Sequence, residues 1–131
     1  MIDISAMFPV LVSNELEALQ SFYQQHFGFQ TEFLDADFYL HLRHPGSNVQ
    51  LGFMVERHAS QPDFLQTRAA TEGFVISFEV TNARQMYDQA LVMGLEVVFD
   101  YKVEVFGLTH FMVRDPAGFV VDIVEHHDQK D

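Results

Sequence analysis

Val12-Ser13-Asn14-Glu15-Leu16-Glu17 returns in the second half of the chain as Val80-Thr81-Asn82-Ala83-Arg84-Gln85. Each copy reads as the end of a strand, a helix cap and a first helical turn. An asparagine side chain is suited to accept from an unpaired first-turn amide, and Glu17 or Gln85, three residues on, can reach back as the other arm of a capping box. After the first copy, Leu16, Leu19, Phe22, Tyr23 and Phe27 keep helical spacing up to Gly28; after the second, Ala83, Met86, Tyr87 and Ala90 do so up to Gly94. Glycine takes the left-handed conformation that ends a helix at least cost, so both helices are expected to stop there.

Outward from these helices the chain alternates in strand-like runs. Residues 6–12 precede the first helix, and residues 29–34, 38–43 and 49–55 follow it; residues 74–80 precede the second, and 95–101, 105–113 and 119–125 follow it. His44-Pro45-Gly46-Ser47-Asn48 and Asp115-Pro116-Ala117-Gly118 sit at corresponding hairpins, where proline presets one turn dihedral and glycine supplies a positive one. The fold class is therefore α+β, two tandem βαβββ modules in a single domain over residues 1–131. Module one covers 5–56, a polar linker 57–72 with one short helical turn, and module two 73–127. A connection of that length is expected to be a functional arm or a plain surface crossing.

The 131 residues carry a formal net charge of −12, no cysteine and 48% hydrophobic residues. The length supports one buried core. Lack of cysteine excludes disulfides, thiolate metal sites and a cysteine nucleophile. No two of Arg43, Arg57, Arg68, Arg84, Arg114, Lys102 and Lys130 adjoin, so nucleic acid is an unsuitable partner, because a polyanion needs a concentrated basic patch. No apolar run reaches the roughly 20 residues of a membrane span. The start Met1-Ile2-Asp3-Ile4-Ser5 lacks the basic and apolar regions of a secretory signal, which makes a soluble, cytoplasmic protein the expectation. No phosphate-cradling glycine loop or G-x-S-x-G element occurs.

The two modules, with Phe22-Tyr23 and Phe27-Gly28-Phe29 early and Arg114-Asp115-Pro116-Ala117-Gly118-Phe119-Val120-Val121-Asp122 late, resemble the vicinal oxygen chelate superfamily across essentially the whole chain. That superfamily comprises glyoxalases, extradiol dioxygenases, fosfomycin-resistance enzymes and bleomycin-resistance binding proteins. The resemblance implies curved mixed sheets around a cleft, frequently a homodimer, and in the enzymes a divalent metal held from several strands. Carried over position by position, the metal places fall on Met7, Gln50, Val75 and Asp122. A thioether and an isopropyl group replace two donors that a hard or borderline cation needs. A slip of one residue would substitute Phe8 or Ala6, and Phe74 or Ile76, none of them a ligand. The first strand, with Pro9, is likewise closer to the bleomycin-resistance branch.

The resulting expectation is a metal-independent protein that sequesters an aromatic or cationic small molecule in a dimer cleft, with no catalytic residue, metal or cofactor. Its ligand-contacting set is Met7, Gln50, Phe53, Val75, Phe106, His110 and Asp122. The alternative is a lyase or dioxygenase whose metal is held by Gln50, Asp122 and an out-of-frame histidine, His110. A third reading has the linker contacting a protein partner. Asp122, in an apolar run, must be paired or face a wet cavity. Gln50 reads equally well as a solvent-facing strand residue, and His110 more commonly as a satisfied core or surface histidine. His41 and His44 point to opposite faces and suit no shared metal. His126-His127-Asp128 is expected to fray, with adventitious metal binding at most. Most of the 14 phenylalanines and 4 tyrosines belong to the core, while some of Phe8, Phe38, Phe53, Phe106 and Phe119 are candidates to stack on a flat or cationic ligand.

Overall fold

A computed structural model describes residues 1–127. The chain divides into two compact units, Met1–Ala70 and the remainder from Thr71. In the first, β1 (Val10–Val12), α1 (Leu16–Phe27), β2 (Gln30–Asp35), β3 (Tyr39–Arg43) and β4 (Gln50–Met54) are followed by a 3₁₀ turn, Asp63–Leu65. The second has β5 (Ile76–Glu79), α2 (Ala83–Val92), β6 (Glu96–Glu104), β7 (Leu108–Arg114) and β8 (Val120–His126). Each unit makes one four-stranded mixed sheet, ordered β1-β4-β3-β2 or β5-β8-β7-β6. Only β1–β4 and β5–β8 are parallel. Among the described residues no helix is long and apolar enough to cross a membrane.

Strand alternation divides each sheet into a helix-covered face and an opposite face. In the first unit Leu40, Leu42, Leu51 and Phe53 are buried with Leu16, Leu19, Phe22 and Tyr23 of α1. Phe53 stacks on Tyr23 at 5.8 Å. In the second, Phe111, Val113, Val121 and Ile123 form the buried face, with Phe111 edge-on to Tyr87 of α2 at 5.2 Å. The odd-numbered residues of β4 thus serve the core and the even-numbered ones, Gln50, Gly52 and Met54, lie on the other face.

The repeated cap is used only once. Asn82 Oδ1 accepts from the Gln85 amide at 3.0 Å, as expected. Asn14 does not cap α1: the helix starts from Glu15 without a side-chain cap, Ser13 Oγ accepts the Glu15 amide, and Asn14 Oδ1 instead accepts from the Glu56 amide. The loop after β4 competes for the asparagine and wins it. Gly28 and Gly94 take positive φ at the helix ends.

Other boundaries shift for local reasons. β1 is shorter than expected because Pro9 has no amide to donate, although its carbonyl accepts from Gly52 at 2.9 Å. The strand expected over 105–113 starts at Leu108, because Gly107, with φ 94°, turns the chain after an extended β6. In the first hairpin Asn48, not Gly46, supplies the positive φ. Residues 57–69 do not hang free. The Arg57 amide donates to Thr67 O, Glu56 Oε2 accepts from the Ala69 amide, and His58 packs on Phe38 at 4.5 Å. The end of β8 is also held rather than frayed: His127 bonds Thr109 Oγ1 and, through its amide, Gly107 O, while His126 faces Glu79 at 3.0 Å. Asp128 lies outside the described residues.

Candidate functional site

The face of the first sheet opposite α1 carries a chain of three polar side chains. β3 and β4 pair with His41 opposite Gly52, which sets Gln50 diagonal to His41 on the same face. His41 Nε2 lies 2.7 Å from Gln50 Oε1, and Nδ1 lies 2.7 Å from the Tyr39 hydroxyl. Tyr39 leans over Gly52, so that a Cβ at position 52 would sit 2.2 Å from the hydroxyl. Burial raises the Tyr39 pKa and keeps the phenol neutral. Phe8 sets its ring edge-on to His41 at 4.6 Å and is 44% exposed.

The corresponding face of the second sheet is charged. His110 pairs with Val124 across β7–β8, which places Asp122 on the diagonal that Gln50 occupies in the first unit. Asp122 Oδ1 is 2.9 Å from His110 Nδ1. From β6, Lys102 stands opposite His110, and Glu104, two residues on, brings Oε2 to 3.4 Å from Nε2. Lys102 pairs with Glu104 at 2.9 Å, and this bond, with the bond from His110, holds the Glu104 carboxyl below the ordinary glutamate range. The ring of Phe99 closes the cluster at 5.2 Å from His110.

Of the residues singled out in the sequence, Gln50 lies on the first of these faces, and His110 and Asp122 lie together on the second. Phe53 does not line an open surface: it is fully buried against α1, because it falls on the opposite side of β4 from Gln50. Phe119 is equally buried, with Phe74 at 5.5 Å. Phe106 stands 61% exposed in the turn between β6 and β7. Met7 is largely exposed ahead of β1, and the ring that reaches His41 belongs to Phe8, one residue on. Val75 is half-exposed ahead of β5, where Ser77 is the registered neighbour of Asp122. Tyr39, His41 and Glu104 were not among the candidates. His41 had a readable signal, its diagonal to Gln50 across a short hairpin; Glu104 had none, because β6 has two register irregularities before it.

These groups fit poorly with the divalent metal that the fold family implies. A glutamine ligates through its oxygen, and Oε1 of Gln50 is engaged by His41. A histidine ligates through a ring lone pair, yet both His110 nitrogens face carboxylate oxygens and hold hydrogen-bond geometry to them. Among the described residues no group of three or more His, Cys, Asp or Glu side chains is arranged to hold a metal ion.

Two sheets of this order and pairing define the glyoxalase/bleomycin-resistance fold, that of the vicinal oxygen chelate superfamily. The chain is similar to a lactoylglutathione lyase from Agrobacterium tumefaciens at 17% identity and TM-score 0.75, covering 92% of each chain. It is also similar to a glyoxalase/bleomycin resistance protein/dioxygenase from Nocardioides at 14% identity and TM-score 0.76, covering 100% of this chain and 89% of that one. A bleomycin resistance determinant encoded on transposon Tn5 is similar at 18% identity and TM-score 0.66, covering 94% and 98%. The sequence matches no family model, and a search of curated proteins gives no match.

Proposed function

We propose that this protein is a metal-independent binding protein that sequesters an aromatic or cationic small molecule, as a homodimer. The observation that carries the reading is the engagement of Gln50 and Asp122, the polar residues at the superfamily's metal places, by His41 and His110 of the adjacent strands. Side chains committed in this way recognise a ligand by hydrogen bonding and charge rather than by coordination. Exposed Phe8 and Phe106 offer stacking surface, and Glu104, Asp122 and the net charge of −12 favour a cation over an anion.

The test is elemental analysis of untagged protein before and after loading with manganese, iron, nickel and zinc, followed by thermal shift with flat neutral and cationic aromatics in the presence of a chelator. No retained metal and chelator-insensitive stabilisation are expected. About one metal per chain, lost in Asp122→Ala, would overturn the reading in favour of a lyase or dioxygenase. A monomer by sedimentation at micromolar concentration would remove the dimer from it.

A further inference from the structure

We infer that Gln50 is a hydrogen-bond donor to an acceptor oxygen on the ligand, fixed in that sense by Tyr39 and His41 as positioning residues. The inference rests on the binding reading above and narrows its ligand to an aromatic compound bearing a carbonyl or similar neutral oxygen.

The argument is an accounting of hydrogens along Tyr39–His41–Gln50. A neutral imidazole has one N–H and one lone pair, so the chain can run in either of two senses. In the first, the Tyr39 hydroxyl donates to Nδ1, Nε2–H donates to Gln50 Oε1, and the Gln50 NH₂ is left over. In the second, the Gln50 NH₂ donates to Nε2, Nδ1–H donates to the Tyr39 oxygen, and the tyrosine hydrogen needs another acceptor. Among the described residues the Tyr39 hydroxyl has His41 as its hydrogen-bond partner and otherwise lies against Gly52, where even a methyl group would not fit. Each sense leaves two hydrogens outside the chain, but the first leaves both on the Gln50 NH₂ at the half-buried face, whereas the second strands the Tyr39 hydrogen against Gly52; the first is also the sense in which Oε1 faces the histidine. A half-buried phenol without an acceptor would lose free energy that the first sense keeps.

The consequence reaches Gln50. Its oxygen is used, and no protein group among the described residues accepts from its Nε2, which therefore points two N–H bonds at whatever lies on this half-buried face. Beside it stands Phe8, two residues ahead of Val10, the partner of Gly52, with its ring edge-on to His41. A ring to pack on and an amide donor at its margin suit a planar molecule with an acceptor oxygen on its edge. Glutamate at position 50 would still accept from His41 and would turn the donor into an acceptor.

The experiment is calorimetric titration with N-methyl-2-quinolone, a planar neutral acceptor without donors, and with 1-methylnaphthalene, of similar shape without the oxygen. Ring ¹⁵N spectra of His41 are recorded on the free protein. The expected result is an Nε2–H tautomer and a quinolone about tenfold tighter than the hydrocarbon, with that preference abolished in Gln50→Glu and reduced in Tyr39→Phe. Tyr39→Phe should also release the tautomer preference of His41, which a merely structural tyrosine would not do. An Nδ1–H tautomer in the wild type, equal binding of the two probes, or a preference that survives Gln50→Glu would each overturn the inference and leave the binding reading standing. Binding of neither these probes nor the cation N-methylquinolinium would overturn both.

Discussion

The two units build one framework and finish it with different chemistry. His41 and His110 occupy equivalent places, each on the third strand and each bonded to the fourth-strand residue on its diagonal. In the first unit that residue is an amide and the far ring nitrogen meets a phenol, so neither neighbour of the ring carries a carboxylate charge. In the second both neighbours are carboxylates and Lys102 compensates one of them. The backbone pairing therefore dictates where a polar pair stands, while the residue chosen decides whether the face offers a donor or negative charge.

The widest gap between the units should appear on removing the fourth-strand partner. Asp122→Ala takes a carboxylate from a nearly buried histidine and should cost about 2–3 kcal/mol, whereas Gln50→Ala breaks a neutral bond worth about 1 kcal/mol. Urea denaturation of both variants measures this, and equal losses would break the comparison. Next, Gly52→Ala drives a methyl group into the Tyr39 hydroxyl and should cost about 1–2 kcal/mol with loss of the Tyr39–His41 bond, seen in the His41 ring resonances. The equivalent residue opposite His110 is Val124, which already carries a side chain, so Val124→Ala should leave the His110–Asp122 bond intact.

A smaller difference separates the caps. Asn82→Ala should cost about 1 kcal/mol and fray α2 by amide exchange, while Asn14→Ala should loosen the amide of Glu56 and leave α1 in place. The smallest effect is a pH dependence that both units share. The Ala69 amide foremost lowers the Glu56 carboxyl, and Lys102 foremost lowers that of Glu104. A carboxyl depressed in the folded state stabilises above its unfolded value, ordinarily 4.5 for glutamate, and that contribution is lost as pH falls through the depressed value. Acid titration followed by amide resonances should show both units weakening below that range. Glu104→Gln should flatten the response of the second unit alone.

Much of this framework was legible in the sequence, because caps, glycine stops and alternating strands are local signals. Gly28, Gly94 and Asn82 act as read. The misplaced elements are those where a distant segment outbids the local preference, as the Glu56 amide does for Asn14. At the site, Gln50, His110 and Asp122 stood out as polar residues in apolar strands. Phe53 lies on the core side because of its odd offset from Gln50, a parity argument that the sequence allows. Glu104 could not be placed by parity, since each irregularity in β6 resets the count. Tyr39 is not legible in the sequence because its place depends on the bare backbone at Gly52, one strand away.

The segment that closes on itself between Arg57 and Thr67 has a consequence for how the chain tolerates change in length. Its two ends are tied to each other by the Arg57 amide, and the Ala69 amide just beyond is held by Glu56, while Phe64 at the far end is 84% exposed. Lengthening a loop whose ends are already held adds only about 0.6 kcal/mol for each doubling. Extra residues inserted at Phe64, whether by drift or by design, would thus meet little thermodynamic resistance. This tip is the natural place to attach a reporter or tether.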